Sequence, residues 1–117
     1  MNVFSETVTV INVFTVGPGR QQELIDLLIR ATEEWVRHAP GFLGARLHRS
    51  VDGTKVAMYA HWRSNWDYEV MRRDPGPRAY LSRVLAIARL EAGIYEDVRN
   101  FSPSAPVTAA TVAGGPR

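Results

Sequence analysis

A chain of 117 residues with 45% hydrophobic and 22% charged side chains is long enough for one packed core and too short for two. Fourteen basic against twelve acidic side chains leave a net charge of only +2, which argues against the dense positive face that nucleic acid requires. With no cysteine, disulfides, thiolate-held metals, iron–sulfur clusters and thiol nucleophiles are all excluded.

The N-terminus, Met1-Asn2-Val3-Phe4-Ser5-Glu6, lacks a basic segment followed by an apolar one, so no signal peptide is expected. No apolar run approaches the roughly 18 residues a membrane span needs, and the expected location is the cytoplasm. Residues 7–16, rich in β-branched side chains and free of breakers, predict a strand covered on both faces. Gly17-Pro18-Gly19 ends it. From Arg20 to His38 the polar positions Asp26, Arg30, Glu33 and Arg37 recur at helical steps, with Leu24, Leu27, Leu28, Ala31 and Trp35 on the apolar side. Pro40-Gly41 stops this helix.

Gly44–Ser50 and Lys55–Trp62 read as two strands joined by Val51-Asp52-Gly53-Thr54, a hairpin signal because glycine takes positive φ without penalty. Ser64 followed three residues later by Asp67 forms a capping box for the next helix. That helix carries Trp66, Tyr68, Val70 and Met71 and breaks at Asp74-Pro75-Gly76-Pro77. A continuation carries Tyr80, Leu81, Val84, Leu85 and Ala88, and Gly93–Asn100 is the expected last strand. The order β-α-β-β-α-β, with its second helix split, predicts an α+β ferredoxin-like domain over residues 1–101 with an antiparallel sheet. Strand one is apolar on both faces, so a second copy is expected to cover the sheet as a homodimer. Residues 102–117, small and almost uncharged, are expected to form a flexible or arm-like tail.

Strand alternation places Val56, Met58, Ala60 and Trp62 on one face of strand three, and Val10, Asn12 and Phe14 on one face of strand one. An amide among apolar neighbours is costly without a partner. Asn12 is therefore either satisfied by backbone or water, or a polar anchor for a ligand. Trp62 and Tyr68 are either core plugs or flat walls with one hydrogen-bonding tip for a planar aromatic ligand. His38, His48 and His61 lack the spacing of a metal site. His48 is a candidate base, or an exposed strand histidine. Arg72, Arg73, Arg78 and Arg83 form a solvated face, or supply one cation to a phenolate or enolate.

Thr9-Val10-Ile11-Asn12, Pro40-Gly41-Phe42, and Met58-Tyr59-Ala60-His61-Trp62-Arg63-Ser64 leading into Tyr68 resemble the antibiotic biosynthesis monooxygenase family across nearly all of residues 7–101. The resemblance implies a dimeric α+β barrel. It also implies, in the aromatic-polyketide members, oxidation of anthrones to quinones by O2 without metal, flavin or nicotinamide. It assigns catalytic roles to Asn12, Trp62 and Tyr68; the residues' own chemistry adds His48 as a further candidate in proton transfer, and Phe14, Phe42, Met58, Trp66 and Tyr80 are the candidate substrate-pocket residues. No cofactor is expected, with reduced flavin as the alternative. One departure stands out: the family's Asn-x-x-x-Trp motif here begins with Met58, whose thioether cannot donate to an anion. A cyclase or isomerase of the same fold, or a dimeric ligand-binding protein without catalysis, are the other readings.

Overall fold

The β-branched run that opens the chain becomes the strand on which the rest of the molecule is hung. The computed structural model describes residues 7–104. Its elements are β1 (Val8–Val16), α1 (Gln21–Glu34), β2 (Phe42–Arg49), β3 (Lys55–Trp62), α2 (Asn65–Arg73), α3 (Pro75–Leu85) and β4 (Ala88–Tyr95), with a short 3-10 turn at Val36–His38. The sheet order is β2-β3-β1-β4 with every neighbour antiparallel, which is the expected ferredoxin-like arrangement. No helix among the described residues is long and apolar enough to cross a membrane.

One sheet face carries the core. Val8, Val10, Phe14 and Val16 of β1 point with Val56, Ala60 and Trp62 of β3 toward the helices, where Leu24, Ile25, Leu27 and Leu28 of α1 and Val84 of α3 meet them. The opposite face, including Ile11, Val13, Tyr59 and Tyr95, has no helix over it and leaves Tyr59 and Tyr95 exposed.

The Pro40-Gly41-Phe42 turn has a specific purpose. Ser64 caps α2 by accepting from the Asp67 backbone N–H, and the Asp67 carboxylate accepts from the Ser64 hydroxyl at 2.7 Å and from two Arg63 nitrogens at 2.8 and 2.9 Å. Gly41 sits at φ +86° directly against this carboxylate, and a Cβ there would fall on the Asp67 side chain. Its carbonyl also accepts from the Arg63 N–H at 2.7 Å. Gly41→Ala is therefore expected to cost at least about 1–2 kcal/mol from the left-handed backbone alone, and more as Asp67 is displaced. The urea midpoint of the variant checks this, and an unchanged midpoint would show that the turn yields freely.

Four expectations are corrected. β4 begins at Ala88, not Gly93, and ends at Tyr95. Ala86 to Ala92 favours helix by composition, but pairing with β1 from Val16↔Ala88 to Thr9↔Tyr95 overrides that local preference. α1 ends at Glu34 rather than His38, because Trp35 leaves helical geometry and a 3-10 turn leads into Pro40. β2 begins at Phe42, with an irregularity between Phe42 and Gly44. Trp35, expected on the apolar side, is substantially exposed. The tail expected over 102–117 falls outside the described residues beyond 104; residues 96–104 carry no helix or strand.

Candidate active site

Between the helices and the inner sheet face lies a cavity of about 590 Å³, the size range of small-molecule sites. Its floor is Asn12 and Phe14 of β1 with Met58, Ala60 and Trp62 of β3, and Tyr68, Met71 and Tyr80 reach it from the helices. The register explains the floor. Asn12 lies opposite Met58 on β3 and opposite Ala92 on β4, so neither cross-strand neighbour offers its amide a side-chain hydrogen bond.

Trp62 is 1% exposed. It is paired to Val8 on one side and Phe42 on the other. The Phe42 ring meets it edge-on at 5.4 Å and Tyr68 lies tilted at 5.8 Å. Among the described residues, two buried side-chain polar atoms have no hydrogen-bond partner: Asn12 Oδ1 and Trp62 Nε1. Both belong to residues that line this cavity. Buried polar atoms are rarely left without partners, so these two are the side-chain groups at this floor with hydrogen-bonding capacity to spare.

Tyr68 is held by the Ser64–Asp67 cap one residue before it. Burial pushes its phenol above the ordinary tyrosine range, partly offset by the Arg72 cation, so the phenol stays protonated at neutral pH. The Arg72 guanidinium stands 5.6 Å from its ring centre. Tyr80 donates to Glu34 at 2.7 Å, and that bond raises its phenol as well. The hydrogen bonds from Arg63, and then from Ser64, hold the Asp67 carboxyl below the usual range. A depressed folded value stabilises the fold above the ordinary aspartate pKa of about 3.9, and the contribution is lost as pH falls below it. The melting-temperature gap between the wild type and Asp67→Asn should hold steady above about pH 5 and narrow below about pH 4. Parallel curves down to pH 3 would contradict this.

The structure brings Asn12, Phe14, Met58, Trp62, Tyr68 and Tyr80 together. Three other expected residues stand elsewhere. His48 lies on the opposite sheet face, its ring 5.5 Å from Tyr59, because its pairing with Ala57 puts it on the face that Val56 and Met58 avoid. Trp66 is 68% exposed, since two helical steps from Tyr68 turn it about 200° away. Phe42 backs Trp62 rather than forming the cavity wall. His61 also points away, its Nδ1 3.0 Å from the Thr9 hydroxyl. Conversely, Arg72, Arg78 and Met71 line the cavity. Met71 and Arg72 are legible as the i+3 and i+4 neighbours of Tyr68, whereas nothing in the sequence separates Arg78 from Arg83.

A family model described as antibiotic biosynthesis monooxygenase matches residues 7–81. The chain is 38% identical over 98 residues to tetracenomycin-F1 monooxygenase of Streptomyces glaucescens, covering 84% of this chain and 88% of that one. Its fold is similar to that of SnoaB, described as a cofactor-independent oxygenase from Streptomyces nogalater (TM-score 0.75, 23% identity, 84% of this chain and 99% of that one). It is also similar to Rv0793 from Mycobacterium tuberculosis (TM-score 0.72, 21% identity, 82% and 99% covered).

Proposed function

The chain belongs to the antibiotic biosynthesis monooxygenase family and is a monooxygenase, and on that premise we propose that it oxygenates an activated phenolic polycycle of the aromatic polyketide type with O2. In this reading neither metal nor flavin takes part. The observation that carries it is the pair of buried, unpartnered atoms, Asn12 Oδ1 and Trp62 Nε1, on two residues of the cavity floor. The relative's name, tetracenomycin-F1 monooxygenase, and the description of SnoaB as cofactor-independent support the same reading.

The chemistry closes without an external reductant. A methylene flanked by aromatic rings gives up four electrons and two hydrogens in becoming a carbonyl, while O2 places one oxygen in the product and the other in water. Loss of a proton makes the substrate an electron-rich anion. Electron transfer to O2 and recombination form a carbon–oxygen bond and leave a peroxide. Protonation of its outer oxygen and loss of the remaining C–H proton break the O–O bond and give carbonyl and water.

Substrate binding, anion stabilisation and peroxide protonation each have a residue suited to them. Asn12 Oδ1 accepts from a substrate hydroxyl and sets its register on the sheet. Trp62 Nε1–H donates to the oxygen on which negative charge develops, in a site where water cannot compete. Tyr68, kept protonated by burial, donates the proton to the peroxide. No carboxylate or imidazole lines the cavity, so the first proton leaves to solvent, helped by the Arg72 and Arg78 cations. His48 has no part on the inner face of its own chain.

Incubation with an anthrone under 18O2 should put one labelled atom in the product, with one O2 consumed per turnover and no flavin added. No O2 consumption across a panel of phenolic polycycles, with or without reduced flavin, would refute the assignment. The uncovered sheet face with Ile11, Val13, Tyr59 and Tyr95 supports a further part of the proposal, that a second copy packs there. Light scattering on the purified chain should return twice the monomer mass of 13.1 kDa.

A further inference from the structure

We propose that Glu34 and Trp35, at the end of α1 and outside the cavity, are positioning residues that clasp α3 over the sheet floor and so set the height of the substrate site. The inference rests on the reading of the cavity as a substrate site and asks nothing of the oxygen chemistry. α3 supplies much of the cavity wall and has little to hold it there. It contributes Pro77, Tyr80, Leu81 and Val84 to the lining, yet only Val84 is buried, whereas α1 buries Leu24, Ile25, Leu27 and Leu28. Packing of an apolar face is what fixes a helix in place. The part of α3 before Val84 faces a cavity where that packing would otherwise be.

Two contacts from α1 hold that part of the helix. The Tyr80 hydroxyl donates to Glu34 Oε1 at 2.7 Å, and Tyr80 lines the cavity whereas Glu34 does not. One residue on, Trp35 leaves helical geometry, its N–H still bonded to the Ala31 carbonyl at 3.1 Å and its carbonyl accepting from the His38 N–H at 3.1 Å. Its indole lies against Gly76 in the first turn of α3, where a Cβ would stand 2.5 Å from both Cδ2 and Cε2. Gly76 is not among the glycines with positive φ, so the close approach of the indole, and not the backbone, calls for glycine. Gly76 and Tyr80 are four residues apart and share one face of α3. Adjacent residues of α1 thus grip that face at two points one turn apart, which gives a purpose to a tryptophan that is 42% exposed.

The clasp acts on binding and not on chemistry, because of where the other groups stand. Asn12, Trp62 and Tyr68 belong to β1, β3 and α2, and none of them to α3. Releasing the clasp therefore lets α3 lift from the floor without moving the groups assigned to oxygenation. A flat ligand is held between that floor and the wall of Tyr80 and Leu81. When the wall spends part of its time raised, apparent affinity falls with the fraction of molecules that are competent to bind. The complex that does form turns over as before.

Gly76→Ala puts a methyl group where the indole lies, at a helical position where alanine is otherwise the better residue, and Glu34→Ala removes the acceptor. The full chain is titrated with 1,8-dihydroxyanthraquinone, a planar phenolic probe that needs no turnover, and O2 uptake with an anthrone is followed alongside. In the double variant the Kd of the probe and the KM should rise about five- to tenfold, the scale of one or two lost contacts, with the turnover number within about twofold of wild type. Glu34→Gln keeps an acceptor oxygen for the Tyr80 hydroxyl and should bind the probe as wild type does. Unchanged probe affinity in the double variant, or Glu34→Gln as impaired as Glu34→Ala, would overturn the clasp and leave the substrate site standing. So would a turnover number that falls in step with kcat/KM, the mark of general damage to the fold. The probe titration decides the question even where the anthrone is not turned over. No binding of the probe to wild type would overturn the cavity as a substrate site, and the clasp with it.

Discussion

Replacing Trp62 by Phe is expected to lower the turnover number for oxygenation by about 10²–10³-fold, the usual penalty for losing one preorganised donor to a developing anion. The change removes the Nε1–H and little else that matters for the fold. A six-membered ring stays between Phe42 and Tyr68, the two rings that now hold the indole at 5.4 and 5.8 Å. The smaller side chain leaves some empty volume in a 1% exposed site, so a modest loss of stability, on the order of 1–2 kcal/mol, accompanies it. If Nε1 acts on charge that appears only after substrate ionisation, the Michaelis constant should change far less than the turnover number. Steady-state O2 uptake with a thermal melt of the same preparation separates the two effects. Activity within about threefold of wild type would remove Trp62 from the chemistry and make it a wall residue.

Most of the frame was legible in the sequence because periodicity and punctuation agree with the tertiary contacts. The β-branched run of β1, the Asp-Gly hairpin and the Ser64–Asp67 box all have local causes, and all appear where those causes put them. Strand parity likewise puts Met58 with Trp62 on one face of β3 and Asn12 with Val10 and Phe14 on one face of β1, and the β1–β3 register joins the two faces. The misplaced last strand has its origin in contacts distant along the chain. β4 carries helix-favouring residues and is a strand because β1 has an open edge to pair. His48 has the chemistry of a base, but its pairing with Ala57 puts it on the outer sheet face. Trp66 stands two residues from Tyr68, a helical step that already excludes both from facing inward. Of the two cavity arginines, Arg72 is marked by its i+4 spacing from Tyr68, whereas Arg78 lies on a separate helix with no such marker.

Asn12→Leu is expected to make the protein more stable and nearly inactive. Asn12 Oδ1 is buried and unpartnered on the strand face it shares with Val10 and Phe14, each 2% exposed or less. An unmet buried acceptor costs about 1–3 kcal/mol, and a side chain of similar size without polar atoms relieves that cost while adding apolar contact to Met58 and Ala92 across the strands. A net gain of about 1–2 kcal/mol corresponds to a rise in Tm of roughly 5–10 °C for a domain this small. The same substitution deletes the acceptor that sets the substrate hydroxyl in register, and misplacement of about 1 Å suffices to cost about 10²-fold in rate. Stability and activity should thus move in opposite directions, as they do where a site is kept strained for function. A lowered Tm would mean that the amide is a structural group already satisfied in solution. A raised Tm with full activity would mean that the site neither needs nor uses it. Only the combination of a raised Tm and lost turnover identifies Asn12 as a polar group held in an apolar floor for its ligand.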